Sequence, residues 1–354
     1  MENRIKPGGK AGRDSGRTVP GHTGAEPVRI TLAETLEKTG IMVIDGSMAT
    51  ALEAMGCNLR DSLWTAKALM EQPELVKKVH THYFEAGADC GITCSYQATI
   101  RGLTERGYTR AQAETAITDS VKLFQEARSE WWERAGREAG RAYPLCLAGI
   151  GPFGAYLADG SEYRGLYQAS DAELLEFHAR RAELLYQAGA DILLFETQPS
   201  LKEVLLEADI AEKLGADYWV SFSCMDGKHI NEGGRISECA RILSQDHPHL
   251  KMIGVNCTQP KFIAGLIREL KNSTSLPIAV YPNSGEVYDP VSKTWKGAGE
   301  SKSYGEYAFK WMQAGASAVG GCCTTVETHV SAVRDARSRF LQEAGTAADP
   351  SGSL

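Results

Sequence analysis

One recurrence limits the fold of this chain more than any other feature. A short run, apolar on both faces, is followed by a loop and in most cases by a longer stretch with helical spacing. The short runs are IMVID (41–45), CGITCS (90–95), PLCLAGI (144–150), DILLFE (191–196), YWVSFSC (218–224), KMIGVNC (251–257), PIAVYP (277–282) and SAVGGC (317–322). Strands that are apolar on both faces need cover on both faces, which is the condition of a parallel sheet dressed by helices. The stretches ELVKKVHTHYFEAGA, AELLEFHARRAELLYQAGA and EYAFKWMQAGA supply such helices, each with a glycine suited to positive φ at its end. Eight units of this kind predict an α/β fold, a (β/α)8 TIM barrel built as a single domain, whose usual size is ~250 residues before insertions. An open doubly wound sheet is the alternative. No GxGxxG follows the first run, which weakens the dinucleotide-binding form of that alternative.

Residues 1–28 carry many glycines and scattered charges with no apolar period, and they predict a disordered N-terminal arm. The sequence after residue 340, ending AGTAADPSGSL, predicts a flexible C-terminal tail over 341–354, leaving 29–340 for the barrel. With 43% hydrophobic and 23% charged residues the chain can bury a real core. Thirty-eight basic against 45 acidic side chains, a net charge of −7, is the wrong balance for neutralising a phosphate backbone, so no nucleic-acid partner is expected. No run reaches the ~18 consecutive apolar residues of a membrane crossing, and the first residues lack the apolar segment of a secretory signal. The expected setting is cytoplasmic, with no membrane partner. Nine cysteines, an odd count, then read as reduced thiols, core residues or metal ligands, not as a disulfide framework.

In a barrel of this type the chemistry sits at the C-terminal ends of the strands. The eight runs end at Asp45, Ser95, Gly151, Glu196, Cys224, Cys257, Asn283 and the pair Cys322 and Cys323. A closed barrel would bring Cys257, Cys322 and Cys323 to one rim. Three thiolates suit zinc, and three protein ligands leave a fourth position open, as in catalytic sites; the paired CxxC motifs of structural sites do not occur. Gly320 and Gly321 would let adjacent residues face one ion, through close backbone approach or positive φ. The same three cysteines could also be a redox-active or merely buried set. Cys90, Cys94, Cys146, Cys224 and Cys239 read singly as small core residues.

Taken in order, these segments resemble the homocysteine S-methyltransferase family. The resemblance rests on DGSMATAL (45–52), SYQAT (95–99), GPFGAYLADGSEYRG (151–165), FET (195–197), GVNC (254–257), YPNSGEVYDPVSKTW (281–295) and GGCC (320–323). The long motifs are most similar to the branch that uses S-methylmethionine. The resemblance implies one Zn2+ held by Cys257, Cys322 and Cys323, homocysteine held by Asp45, Gly46, Glu196 and Thr197, and transfer of a methyl group from S-methylmethionine or S-adenosylmethionine to give methionine. Homocysteine and a methyl sulfonium are then the partners, and no oligomeric state is assigned. Thr324, where many relatives have arginine, and Ile100, where SYQAT is often followed by proline, depart from the pattern.

The chemistry agrees with that implication. A free thiol has a pKa of ~8.5, whereas a zinc-bound one is deprotonated outright, so no catalytic residue beyond the zinc-activated substrate thiolate is needed. The donor loses its positive charge as it reacts, so aromatic faces suit it better than fixed anions at its sulfur. Ser95, Tyr96, Tyr156 and Asn283 are the donor-site candidates, with Phe153, Tyr163 and Trp295 as further aromatics. Ser95 and Asn283 equally suit loop hydrogen bonding, and Asp45 and Glu196 could cap helices or pair with a surface lysine. His80, His82 and His178 fall inside helical stretches and read as surface or helix-face residues. Competing readings are a selenohomocysteine or selenocysteine methyltransferase, a non-catalytic zinc or thiol-redox barrel, and a carbonyl lyase. A Schiff-base lyase would want a lysine at a strand end, and none of the eight ends offers one.

Overall fold

The computed structural model describes residues 30–59, 63–285, 287–289, 294–296 and 301–348. Ten strands occur among them: β1 Met42–Val43, β2 Cys90–Ile92, β3 Leu145–Ile150, β4 Ile192–Gln198, β5 Tyr218–Phe222, β6 Leu250–Asn256, β7 Ile278–Tyr281, β8 Val287–Asp289, β9 Thr294–Lys296 and β10 Ala318–Val319. Eight of them, all but the antiparallel hairpin β8–β9, pair in parallel in the order β1-β10-β7-β6-β5-β4-β3-β2. Each falls within one residue or two of an apolar run, and helices separate successive strands, which gives the (β/α)8 barrel.

The one place without a ladder is the seam between β1 and β2, and two aspartates stitch it. Asp89 donates its backbone N–H to Val43 O at 2.8 Å while its Oδ2 accepts from Val43 N at 2.9 Å. At the other end of the seam Asp45 Oδ2 accepts from Ile92 N at 2.9 Å. Side-chain carboxylates thus take up strand N–H groups that short strands leave without a carbonyl partner.

The barrel interior holds Met42, Ile44, Leu145, Leu147, Ile192, Leu194, Trp219, Met252 and Tyr281, all buried. The helix Leu32–Thr39 closes its lower end by adding Leu32 to that cluster, with Ile30 and Leu36 packed beside it. Thr31 and Glu34 form a reciprocal capping box at its start, worth about 1 kcal/mol, and Gly40 at φ 67 ends it. The same face carries buried ion pairs, Arg128 with Asp191 and Arg141 and Arg337 with Asp89, as befits the stability end of a barrel.

The three helices marked out by the sequence form and end as their glycines require, at Gly87 (φ 122), Gly189 (φ 96) and Gly315 (φ 112). Two histidines differ from the expectation. His80 and His178 are fully buried, not surface residues. His80 packs edge-on to Phe124 at 5.0 Å, and burial alone lowers its pKa to about 3, so it sits there as a neutral ring. His82 stays partly exposed opposite Glu327. The last helix, Glu327–Ala348, also continues through most of the expected tail, with Leu341 beside the bare Cα of Gly40. The expected arm 1–28 and residues 349–354 lie outside the described residues.

Candidate metal centre and amino-acid site

Cys257 follows β6, and Cys322 and Cys323 follow β10; both segments hang from the end of β7. Cys257 N donates to Tyr281 O at 3.3 Å and Cys322 N to Pro282 O at 2.8 Å. Tyr304 donates its hydroxyl to both Pro282 O (3.1 Å) and Gly320 O (2.8 Å), tying the two chain segments together from behind. The three Sγ atoms consequently lie within 4.8 Å of one another, with Cys257 Sγ and Cys323 Sγ 3.6 Å apart. Tetrahedral zinc with bonds of ~2.3 Å sets sulfur–sulfur edges of ~3.8 Å, so the cluster fits one such ion.

Gly320 and Gly321 serve this convergence through close approach, not through positive φ. A Cβ on Gly320 would stand 2.5 Å from Ile44 Cβ and 2.7 Å from Ile44 O, and one on Gly321 would stand 2.4 Å from Thr325 Oγ1. The positive φ falls instead on residues that ordinarily avoid it: Cys257 (φ 47), Thr197 (φ 60) and Thr324 (φ 64). Such backbone costs of order 1–3 kcal/mol per residue and persists only where neighbours fix it. At Thr197 the neighbour is Asn256. Its Oδ1 accepts from Thr197 N at 2.7 Å and its Nδ2 donates to Thr197 Oγ1 at 2.8 Å. The same Nδ2 lies 3.9 Å from Cys322 Sγ, so one buried amide links the FET turn to the thiols. Thr324 is fixed by Thr50 Oγ1, which accepts from its N–H at 3.2 Å, and by a 2.7 Å hydroxyl contact with Ser284.

The thiols act as one titrating unit. Cys257 is pulled well below the ordinary thiol range by hydrogen bonds from the other two thiols and from Tyr163, while Cys322 and Cys323 are pushed up by sharing those protons with it. A bare cluster therefore favours one thiolate, and only a soft cation would let all three ionise.

Two carboxylates open beside the thiols. Asp45 is 2% exposed; with Oδ2 spent on the β1–β2 seam, its Oδ1 is buried without a hydrogen-bond partner. Burial raises its pKa to about 8. Glu196 on β4 is raised well above the ordinary range, first by burial, then by the charges on Cys257 and Asp45. Its Oε1 occupies the space over Gly149, where a Cβ would come within 2.7 Å. Two buried acids that oppose each other's ionisation stay protonated at neutral pH unless a cation joins them. Gly46 is next to Asp45 because Tyr83 requires it: a Cβ there would lie 2.9 Å from the ring.

The remaining sequence candidates divide. Tyr96 packs its ring against Gly151 and lies beside Glu196, Glu162, Cys257 and the Thr197 hydroxyl. Asn283 is buried with Oδ1 lacking a partner. Ser95 is a loop hydrogen-bonder, its hydroxyl donating to Gly149 O at 2.7 Å and touching Thr93 Oγ1 at 2.6 Å. Tyr156 is committed elsewhere: it donates to Glu105 at 2.6 Å under Arg101, in a cleft lined by Leu63, Gln97, Thr99 and Gly102 with no cysteine in its wall. Phe153 joins that aromatic stack, and the side chain of Trp295 lies outside the described residues. Asn256 and Glu162 were given no role by the sequence. A lone asparagine in an otherwise apolar strand is a signal that could have marked the first.

A second group, His178, Glu203 and Glu207, also offers three ligand atoms within 4.8 Å. A guanidinium already fills the place of a cation there. Arg181 Nη2 lies 3.0 Å from His178 Nδ1 and donates to Gly151 O at 2.7 Å, while His178 Nε2 meets Glu203 Oε1 at 2.7 Å. This network buttresses the β3 loop from outside the barrel.

Known proteins resemble this chain over most of its length. The sequence profile of the homocysteine S-methyltransferase family matches residues 42–337. Homocysteine S-methyltransferase YbgG of Bacillus subtilis is 49% identical over 299 residues, covering 84% of this chain and 95% of that protein. The Escherichia coli homocysteine S-methyltransferase is 43% identical over 306 residues, covering 86% and 97%. The crystal structure of the homocysteine methyltransferase MmuM from Escherichia coli, metallated form, superimposes with a TM-score of 0.78 at 39% identity, covering 86% of this chain and 99% of that one.

Proposed function

Since the chain belongs to the homocysteine S-methyltransferase family and is a methyltransferase, we propose that it transfers a methyl group from S-methylmethionine to homocysteine at a zinc centre formed by Cys257, Cys322 and Cys323. The observation that carries this reading is the meeting of Cys257 with the adjacent Cys322 and Cys323, 65 residues further along the chain, beside the buried carboxyl groups of Asp45 and Glu196. The donor set is all sulfur, which suits zinc, and the metallated state of the Escherichia coli relative supports a metal here. When bound, zinc would supply the Lewis acidity that keeps the homocysteine sulfur ionised at neutral pH.

The chain's own residues do the rest. Asp45 Oδ1 and Glu196 receive the homocysteine ammonium, whose charge relieves their mutual repulsion, and Gly46 and Thr197 shape the backbone on either side. Asn256 keeps Thr197 in its left-handed turn and so keeps Glu196, one residue earlier, in register with the thiols. Tyr96 and Asn283 line the donor side. A new carbon–sulfur bond forms as the sulfonium carbon–sulfur bond breaks, the electron pair stays with the donor sulfur, and no proton moves. Residues are thus needed to align, which can contribute several kcal/mol to the barrier. The choice of S-methylmethionine over S-adenosylmethionine rests on the 151–165 motif, whose Tyr163 reaches Cys257. Nine cysteines without a disulfide fit a reducing, cytoplasmic setting, and no described helix is long and apolar enough to cross a membrane.

Stoichiometry tests the proposal. With S-methylmethionine each homocysteine consumed yields two methionines; with S-adenosylmethionine it yields one. The expected result is two, with about one zinc per chain. Loss of homocysteine that continues undiminished after complete zinc removal contradicts it.

A further inference from the structure

The reaction brings together two amino acids, and each carries an α-ammonium. Asp45, just past β1, and Glu196, on β4, form one carboxyl pocket that ionises as an ammonium enters. A third carboxylate, Glu162, stands elsewhere on the rim, in the short helical turn Ser161–Tyr163 after β3. The turn is held rigidly. Ser223 donates its hydroxyl to Glu162 O at 3.0 Å, Gly154 leaves space for Glu162 N (a Cβ would lie 2.8 Å away), and Asp159 Oδ1 accepts from Ser161 N at 2.9 Å. Within it Glu162 Oε2 is buried and has no hydrogen-bond partner. Arg164, two residues on, donates instead to Asp159 O and Ser161 Oγ. Glu162 lies close enough to Cys257, Tyr96 and Tyr163, and also to Asp159 and Arg164, for charges to act on one another, so its carboxylate stands between the 159–164 turn and the thiol side of the rim.

We infer that Glu162 is the specificity-determining contact for the methyl donor, its free carboxylate oxygen accepting the α-ammonium of the sulfonium amino acid. The inference rests on the proposed donor chemistry. The ammonium is the better partner than the sulfonium. An anion at the sulfonium would stabilise the charged ground state that the reaction must discharge, whereas the ammonium keeps its charge throughout and contributes binding without opposing the chemistry. Paired with Asp45 and Glu196, Glu162 then gives each substrate its own anionic pocket.

The test uses the zinc-loaded protein, the Glu162→Gln variant, S-methylmethionine as donor, and dimethylsulfoniopropionate, a sulfonium without an α-amino group, as a competitive inhibitor. The variant is expected to raise the KM for S-methylmethionine at least tenfold, with kcat and the homocysteine KM within twofold of wild type and the inhibition constant of dimethylsulfoniopropionate unchanged. An unchanged KM for S-methylmethionine overturns the inference, and so does an equal weakening of both sulfoniums, which would place Glu162 at the sulfur. If Glu162→Gln does not fold, Glu162→Asp replaces it, with a smaller rise confined to S-methylmethionine as the supporting result and no selective rise as the overturning one. Wild-type protein inactive with S-methylmethionine would sink the proposed function itself, a failure visible before any variant is made.

Discussion

Asp45→Asn should make the protein more stable and less able to bind homocysteine. The carboxylate is 2% exposed, and burial raises its pKa from 3.8 to about 8. Ionisation therefore opposes folding: the penalty is absent below about pH 4, grows between pH 4 and 8, and is complete above the folded-state value. At pH 7 the three units between 3.8 and 7 correspond to about 4 kcal/mol, an upper bound for a site at the barrel mouth. Asparagine keeps an oxygen for Ile92 N on the seam but leaves its NH2 where Oδ1 has no partner, costing about 2 kcal/mol. The net gain is about 2 kcal/mol at pH 7 and near zero at pH 5, or about 3 °C in Tm at neutral pH. Losing a charged partner for the ammonium should raise the homocysteine KM about 10- to 150-fold. Thermal unfolding of substrate-free protein from pH 5 to 8, with steady-state kinetics at pH 7, reads both effects. A variant less stable at every pH, or one with an unchanged homocysteine KM, refutes the reasoning.

Four further outcomes are expected. Glu196→Gln should raise the homocysteine KM by a similar factor while leaving zinc content unchanged; loss of zinc would assign Glu196 to the metal side instead. Cys257→Ser should abolish turnover and lower bound zinc, read by metal analysis, while far-ultraviolet circular dichroism stays native because the thiols sit at the rim; global unfolding would mark the centre as structural. Asn256→Ala removes both hydrogen bonds that hold Thr197 at φ 60, and should cost about 2–4 kcal/mol in denaturant unfolding together with a larger loss in kcat/KM. Gly320→Ala forces β10 away from Ile44 and should cost about 1–3 kcal/mol, with weaker zinc retention in a chelator competition.

The barrel and its thiols were legible because each rests on a local signal that survives folding. A run apolar on both faces has few other homes than a covered parallel strand, and strand ends of such a barrel share a rim, so Cys257 could be brought to Cys322 and Cys323 across 65 residues. What depended on the direction of one side chain was not legible. Tyr156 and Tyr96 are both aromatics near strand ends, yet one turns to Glu105 and the other to the thiols. His80 and His178 lie in helices whose charged neighbours suggest solvent, but neighbouring helices cover both, His80 packing on Phe124 and His178 meeting Glu203. Glu162 sits in a loop of Gly, Asp and Arg that reads as solvated, yet its Oε2 is buried in the fold. Asn256, on β6, does not show its role until the left-handed turn at Thr197 on β4, 59 residues away in sequence but in hydrogen-bond contact, is seen to need it.

X-ray absorption at the zinc edge tests the central claim most directly. Convergence of Cys257, Cys322 and Cys323 on one ion predicts three sulfur neighbours at ~2.3 Å and one lighter neighbour in the substrate-free enzyme, changing to four sulfurs when homocysteine is added. A sulfur count that stays at three with homocysteine bound, or one that drops below three in its absence, would contradict it.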